Sequence, residues 1–227
     1  MNYNLIETKS DDDFTAQSVK LLSEMIKAAI EDHGKCIIGL SGGSTPRKVY
    51  EELGKENIDW NNVFVFLTDE RFVSPEDESS NQNLLRDTLL LHAEVPEDNL
   101  FFPDTSLPIE DCVTAYSAAL IQLFSEQPPD IITLGLGSDG HIASLFPPVS
   151  EDSFKEVLAL HTTTDEFDIH DRISISPLVI MAAQSHILMI KGDEKREVFD
   201  GIVESEMNPV LHPLQIALAT ERVTMIA

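Results

Sequence analysis

Basic residues are scarce in this chain. Fifteen lysines and arginines stand against 40 aspartates and glutamates, which gives a formal net charge of −25 at pH 7. A surface this acidic repels polyanions, so we expect neither nucleic acid nor an anionic membrane as a partner. An anionic metabolite would need a local cluster of the few cations that the chain has.

Cysteines and long apolar runs are also rare. Cys36 and Cys112 are the two cysteines, and their spacing is not that of metal ligands, so we expect free thiols, no bound metal and a reducing compartment. No apolar run is long enough to span a membrane, and the first residues do not have the pattern of a signal peptide. We expect a cytoplasmic protein that is a monomer rather than an oligomer.

Short runs of apolar and β-branched residues alternate with segments of helical periodicity along the 227 residues. The runs at 36–40, 63–67 and 130–134 are typical of strands buried on both faces of a parallel sheet. The alternation predicts an α/β protein, with a mostly parallel sheet between two layers of helices and a small C-terminal lobe, in one domain over residues 1–227. The last apolar run, at 223–226, is expected to close the sheet at an edge.

A glycine-rich turn follows the run at 130–134, and Asp139 and His141 lie two positions apart in it. In an open α/β sheet such a turn lies at the carboxyl end of a strand, where ligands bind. Histidine transfers protons near neutral pH, and a neighbouring carboxylate can orient its ring. The turn therefore predicts a catalytic histidine. The simpler alternative is a tight connection whose histidine only caps or packs.

A second glycine turn, at 41–46, follows the run at 36–40. Its glycines expose backbone N–H groups, Ser44 or Thr45 can cap the next helix, and Pro46 suits the first turn of that helix. A strand, a glycine turn and a helix N-terminus together favour an anion site. The nucleotide-binding patterns G-x-x-x-x-G-K-[ST] and G-x-G-x-x-G are both missing. The alternative is an ordinary, well-capped connection.

Three stretches, taken in order, resemble one family. They are G-L-S-G-G-S-T-P at 39–46, T-D-E-R-F-V at 68–73 with S-N at 80–81, and L-G-L-G-S-D-G-H-I-A-S-L-F-P at 134–147. The combination is similar to the 6-phosphogluconolactonases, which are relatives of the glucosamine-6-phosphate deaminases and isomerases. The resemblance implies a Rossmann-like α/β/α fold without a cofactor. It also implies hydrolysis of 6-phospho-D-glucono-1,5-lactone, a sugar-phosphate lactone, to 6-phospho-D-gluconate in the oxidative pentose phosphate pathway.

The resemblance further implies roles for individual residues. His141 would be the general base that activates a water molecule. By the chemistry of that step, and not by the resemblance, either Asp139 or Asp69 could orient its ring, and the sequence does not choose between them. The residues expected to bind the substrate and its phosphate are Ser41, Gly42, Gly43, Thr45, Arg71, Arg172 and Lys195.

Three positions bear on the choice of activity within the family. Ile142 follows the histidine as in the deaminases, where lactonases have threonine, whereas Arg71 matches the lactonases. Phe146 stands where the deaminases have a glutamate, and a phenylalanine transfers no proton. The sequence therefore favours a lactonase over a deaminase or isomerase. A non-catalytic sugar-phosphate sensor is the other alternative, but the basic DNA-binding extension of such proteins is not seen here.

Overall fold

The computed structural model describes residues 2–155 and 157–227. Its strands are β1 (Asn4–Ile6), β2 (Cys36–Leu40), β3 (Val63–Leu67), β4 (Asp69–Arg71), β5 (Leu100–Phe101), β6 (Ile131–Gly135), β7 (Ala159–Thr163), β8 (Asp171–Ile175), β9 (Ser185–Met189) and β10 (Val223–Ile226). Seven of them form one parallel sheet in the order β1-β10-β9-β6-β2-β3-β5.

Helices cover both faces of this sheet. They are α1 (Asp11–His33), α2 (Arg47–Gly54), α3 (Asn81–Arg86), α4 (Leu89–His92), α5 (Ile109–Leu123), α6 (Pro177–Ala182), α7 (Asp193–Glu204) and α8 (Leu214–Leu218). Successive strand residues point to opposite faces. Ile37 and Ile132 accordingly pack in a core with α5 to α8, and Ile38 and Ile131 in a second core with α1 to α4. The α/β fold class and its three layers are therefore confirmed.

The order in which the chain adds strands to the sheet reverses between β2 and β6, although all the strands of this sheet are parallel. These two strands are neighbours, with Ile38 opposite Ile131 and Gly39 opposite Ile132. After β2 the chain continues through β3 and β5 on one side, whereas β9 and β10 extend the sheet on the other side of β6. Loops that follow two such strands separate and leave a crevice outside the carboxyl ends, which is where ligands bind in open α/β sheets.

A small antiparallel sheet stands above this crevice, formed by β4, β8 and β7 in that order. Thr68 joins it to the main sheet, because its N–H donates to the Leu40 carbonyl oxygen at 3.0 Å and its own carbonyl oxygen accepts from Ile175 N–H at 2.9 Å. The chain thus passes from β3 directly into β4. Asp69 and Arg71 are thereby placed over the carboxyl edge of the main sheet.

Two local expectations are wrong. Strand β10 does not close the sheet at an edge, because it pairs with β1 on one side and with β9 on the other. Neither Ser44 nor Thr45 caps α2: the helix begins at Arg47 after Pro46, and no side chain makes a cap hydrogen bond there. No helix in the described ranges is long and apolar enough to cross a membrane.

Candidate active site

A cleft of about 350 Å³ opens between the ends of β2 and β6. The glycine turn after β2, the histidine turn after β6, strand β4, the loop before β8 and the first turn of α7 all contribute to its wall. Of the residues expected from the sequence, the cleft brings together Ser41, Gly42, Gly43, Thr45, Asp69, Arg71, His141 and Lys195.

Buried hydroxyl groups fix the start of the glycine turn from behind. The Ser41 N–H donates to Thr133 Oγ1 at 2.9 Å, and the Tyr50 hydroxyl donates to the Ser41 carbonyl oxygen at 2.9 Å. Tyr50 and Thr133 are themselves hydrogen-bonded at 2.9 Å, and both are wholly buried. Burial raises the pKa of Tyr50 to about 12, so its hydroxyl keeps its proton. Both peptide groups of Ser41 are therefore held in place.

Two positions of this turn require glycine. A Cβ at Gly42 would overlap the side-chain amide of Asn81. The Asn81 amide donates to the Asp69 carbonyl oxygen at 2.8 Å, so the side chain that excludes a Cβ at Gly42 is itself held on β4. Gly43 has a φ of 95°, a conformation that L side chains rarely adopt. Because no side chain of the turn caps α2, the hydroxyl groups of Ser44 and Thr45 are left at the cleft wall.

The histidine turn folds back so that His141 lies beside Asp139. The Gly137 N–H donates to the His141 carbonyl oxygen at 2.9 Å, and Gly140 has a φ of 87°. A Cβ at Gly137 would overlap both the His141 ring and the Asp139 carboxylate. His141 Nδ1 lies 2.5 Å from Asp139 Oδ1, which also accepts from the His141 N–H at 3.2 Å. The glycines of this turn therefore make room for the pair.

Asp139 is thus the aspartate that contacts the imidazole, and Asp69 is not. Burial opposes ionisation of Asp139, but its hydrogen bonds with His141 and the imidazole charge outweigh burial and lower its pKa. An ionised carboxylate accepts from Nδ1–H, which leaves Nε2 as the basic nitrogen. Nε2 makes no hydrogen bond to another described residue. It is the ring nitrogen left for a water molecule or a ligand.

Asp69 and Glu70 have different partners at the start of β4. Asp69 lines the cleft, and its carboxylate accepts from the Ser144 hydroxyl at 2.8 Å. Glu70 is buried and accepts from the backbone N–H groups of Asn81 and Gln82, each at 2.7 Å, at the beginning of α3. Burial raises the pKa of Glu70, and the four hydrogen bonds that it accepts oppose this. Glu70 therefore holds α3 against β4 and stays out of the cleft.

Two of the three predicted phosphate-binding cations reach the cleft. Arg71 and Lys195 line it, the latter from the first turn of α7. Arg172 does not line it; this side chain is 7% exposed, and its Nε donates to the Ile169 carbonyl oxygen at 2.9 Å. Arg172 nevertheless lies directly opposite Arg71 in the small sheet. Burial, and next the charge of Arg71, lower the pKa of Arg172.

Two aromatic residues enclose the histidine ring, and the sequence assigns neither of them to a binding site. The Phe146 ring lies 4.8 Å from the His141 ring and the Phe167 ring 5.4 Å from it, measured between centroids. In the sequence, Phe146 is distinguished only as a departure from the deaminase motif. Phe167 lies in an acidic loop without a recognisable motif, so no sequence signal could have identified it.

The site has no obvious place for a metal ion. Within the described residues, no group of three or more histidine, cysteine, aspartate or glutamate side chains is arranged to hold one. What the cleft offers instead is an oriented imidazole, two cations, hydroxyl groups and backbone N–H groups of glycine turns. This set of groups suits proton transfer to or from a water molecule beside an anionic ligand.

Comparison with known proteins gives a consistent picture. The family model described as glucosamine-6-phosphate isomerases/6-phosphogluconolactonase matches residues 9–226. A probable 6-phosphogluconolactonase of Dictyostelium discoideum is 35% identical over 213 residues, which are 92% of this chain and 89% of that protein. A 6-phosphogluconolactonase of Thermotoga maritima is 30% identical over 183 residues, 81% of this chain and 80% of that protein.

Solved structures agree with the sequence comparisons. A crystal structure of 6-phosphogluconolactonase from Thermotoga maritima has a TM-score of 0.89 at 25% identity and covers 99% of both chains. The 6-phosphogluconolactonase of Plasmodium vivax has a TM-score of 0.90 at 27% identity, covering 99% of this chain and 90% of that one.

Proposed function

Because the chain belongs to the glucosamine-6-phosphate isomerase/6-phosphogluconolactonase family, we propose that it hydrolyses 6-phospho-D-glucono-1,5-lactone to 6-phospho-D-gluconate. The observation that supports this most strongly is the 2.5 Å contact between His141 Nδ1 and Asp139 Oδ1. Asp139 does not itself line the cleft, but it orients a histidine that lines the same cleft as Arg71 and Lys195. The reaction belongs to the oxidative pentose phosphate pathway, and we place the enzyme in the cytoplasm.

The proposed mechanism needs one base and no covalent intermediate. His141 Nε2 takes a proton from a water molecule while the water oxygen bonds to the lactone carbonyl carbon. The carbonyl oxygen becomes an oxyanion, which backbone N–H groups of the glycine turns stabilise. When this intermediate collapses, the bond to the ring oxygen breaks and the imidazolium returns its proton to that oxygen. The product is the open-chain carboxylic acid, which then ionises.

Asp139 assists this cycle as a positioning residue. Its carboxylate fixes the tautomer with the proton on Nδ1 and stabilises the imidazolium that forms during the reaction. Phe146 and Phe167 limit the access of bulk water to the ring. We place the substrate phosphate between Arg71 and Lys195, which both line the cleft. Arg172 adds positive charge from its position opposite Arg71 in the small sheet.

The contacts of two motif residues favour lactone hydrolysis over deamination or isomerisation. Ile142, which matches the deaminases, is fully buried in the apolar core and does not line the cleft. Phe146, at the position of the deaminase glutamate, packs on the His141 ring. Neither a buried isoleucine nor a phenylalanine supplies an acid for ring opening. The similarity of Ile142 to the deaminase motif therefore concerns packing in the core and not catalysis.

The activity is tested directly by generating the lactone from glucose 6-phosphate with a dehydrogenase and following its disappearance. We expect the protein to remove the lactone far faster than spontaneous hydrolysis does. The same preparation should release no ammonia from glucosamine 6-phosphate and should not interconvert aldose and ketose phosphates. Lactone loss at the spontaneous rate, or rapid ammonia release, would overturn the proposal.

A further inference from the structure

Phe167 contacts both the histidine and the arginine side of the cleft. Its ring is nearly perpendicular to the His141 ring, with an interplanar angle of 80°. The guanidinium carbon of Arg172 lies 6.0 Å from the centre of the same ring. Phe167 also lines the cleft together with Asp69 and Arg71, and it is part of neither apolar core in the described structure. Its contacts are therefore those of the cleft.

Arg172 also holds the loop that presents Phe167. This loop runs from 164 to 170 between β7 and β8. Its backbone is fixed at one end by Thr164 N–H donating to the His170 carbonyl oxygen at 3.1 Å, and near Phe167 by Arg172 Nε donating to Ile169. A single guanidinium thus binds the loop backbone and lies beside the ring of its aromatic residue.

Arg71 and Arg172 are a pair of like charges that their surroundings offset only in part. Burial and the charge of Arg71 lower the pKa of Arg172, and the charges of Asp69 and Glu70 oppose this fall. The arginines that form ion pairs with carboxylates in the described residues are Arg86 and Arg196. Arg71 and Arg172 lie opposite each other without such a partner, and the buried Arg71 Nε has no hydrogen-bond partner in the described part of the chain. A bound phosphate group would offset their repulsion and fix the position of both guanidinium groups.

We infer that Phe167 is a specificity-determining residue that couples the phosphate group of the substrate to the catalytic histidine. The inference rests on the proposed lactonase function. Arg172 already holds the loop at Ile169, and Phe167 already lies beside His141. A phosphate group bound at Arg71 would offset the repulsion between the two arginines and stabilise this arrangement. Phe167 therefore contributes more to the hydrolysis of a phosphorylated lactone than to that of a lactone without phosphate.

The test compares kcat/KM for the phosphorylated lactone with kcat/KM for D-glucono-1,5-lactone. In Phe167→Ala we expect the preference for the phosphorylated substrate to fall by roughly tenfold, the upper range for one aromatic contact. Phe167→Leu keeps apolar volume but loses the ring, and should give an intermediate loss. Phe102→Ala is the matched control, because Arg86 lies 5.9 Å from the Phe102 ring outside the cleft.

A double-mutant cycle separates coupling from general damage. Once Arg172 is replaced by alanine, the further change Phe167→Ala should alter the substrate preference little, because the link is already broken. Three results would overturn the inference but not the proposed function. They are an unchanged preference for the phosphorylated lactone in Phe167→Ala, an equally large loss of that preference in Phe102→Ala, and strictly additive effects of Phe167→Ala and Arg172→Ala on it. Failure of the unmodified protein to hydrolyse the phosphorylated lactone would overturn the proposed function and this inference with it.

Discussion

At the scale of single residues, Arg71 and Lys195 differ from most cations of the chain. Lys48 pairs with Asp12 and Arg86 with Glu97, as expected in a protein with 40 acidic residues. The two cleft cations have no carboxylate within ion-pairing distance among the described residues. Exposed cations such as Lys9 and Lys20 also make no ion pair with a described residue, so it is the position of Arg71 and Lys195 in one cleft that suits them to bind an anion from outside.

Replacing either cleft cation should weaken recognition of the phosphate. We expect Arg71→Ala and Lys195→Ala each to lower kcat/KM for the phosphorylated lactone by roughly 10- to 100-fold, since charged hydrogen bonds contribute about 1.5–3 kcal/mol. Hydrolysis of the unphosphorylated lactone should change much less. Arg86→Ala, which removes an ion-paired arginine outside the cleft, is the control. Full preference for the phosphorylated substrate in both cleft variants would mean that the phosphate binds elsewhere.

Sequence motifs identified most of the cleft residues, but they did not show how these residues contact one another. His141 and both aspartates were found from the sequence, whereas the choice of Asp139 as partner depends on how the turn folds back at Gly137. Phe167 was not found because its contacts with His141 come from a loop that is distant in sequence. A contact of this kind depends on how the two sheets pack together, which a local sequence pattern does not predict.

At the scale of elements, the histidine turn serves packing as well as chemistry. His141 lines the cleft, while the next residue, Ile142, is 0% exposed and belongs to the core beneath it. The Leu145 N–H donates to the Ile142 carbonyl oxygen at 2.9 Å, which closes the turn. The side chain of Ile142 therefore stabilises the turn and does not contact the cleft in which the substrate would bind.

Exchange of this isoleucine for the threonine of the lactonases should separate stability from activity. Ile142→Thr buries a hydroxyl group, and we expect it to lower the free energy of unfolding by about 1–3 kcal/mol. Lactone hydrolysis by the folded protein should stay within roughly tenfold of the original, because the side chain transfers no proton. Ile142→Val, which removes a methylene without adding a polar group, is the control. A hundredfold loss of kcat at unchanged stability would place residue 142 in the reaction.

Single elements were predictable where local rules decide them. The apolar runs at 36–40, 63–67 and 130–134 became β2, β3 and β6, because strands buried on both faces need such runs. The position of β10 between β1 and β9 was not predictable, since any apolar strand suits an edge or the interior until its partners are known. The pairing of strands depends on the fold of the whole chain, whereas the pattern of apolar residues describes one strand at a time.

At the scale of the whole molecule, the switch point between β2 and β6 explains why two distant glycine turns meet. The sequence placed each turn at the carboxyl end of a strand, but their proximity follows from the strand order. The second sheet then adds Asp69 and Arg71 from above. The site therefore forms because the strand order brings together motifs that are far apart in the sequence.

The net charge of −25 should make the stability of the protein sensitive to salt. Raising NaCl from about 10 mM to about 0.3 M shortens the screening length and weakens the repulsion among carboxylates. We expect the Tm, measured by calorimetry at neutral pH, to rise by several degrees. The rise should shrink in a variant whose exposed acids are replaced by amides at Glu24, Glu94, Asp98 and Glu204. A Tm that stays constant or falls would show that self-repulsion is unimportant.

The proposed mechanism depends on His141 as the general base, and the kcat of His141→Asn for the phosphorylated lactone measures that role. Removal of a general base should lower kcat by roughly two to four orders of magnitude while the protein stays folded, as circular dichroism and an unchanged Tm would show. Asp139→Ala, which removes the carboxylate that faces Nδ1 but leaves the imidazole able to act as a base, should give a smaller loss. A folded His141→Asn protein with near-normal kcat would contradict the proposed mechanism.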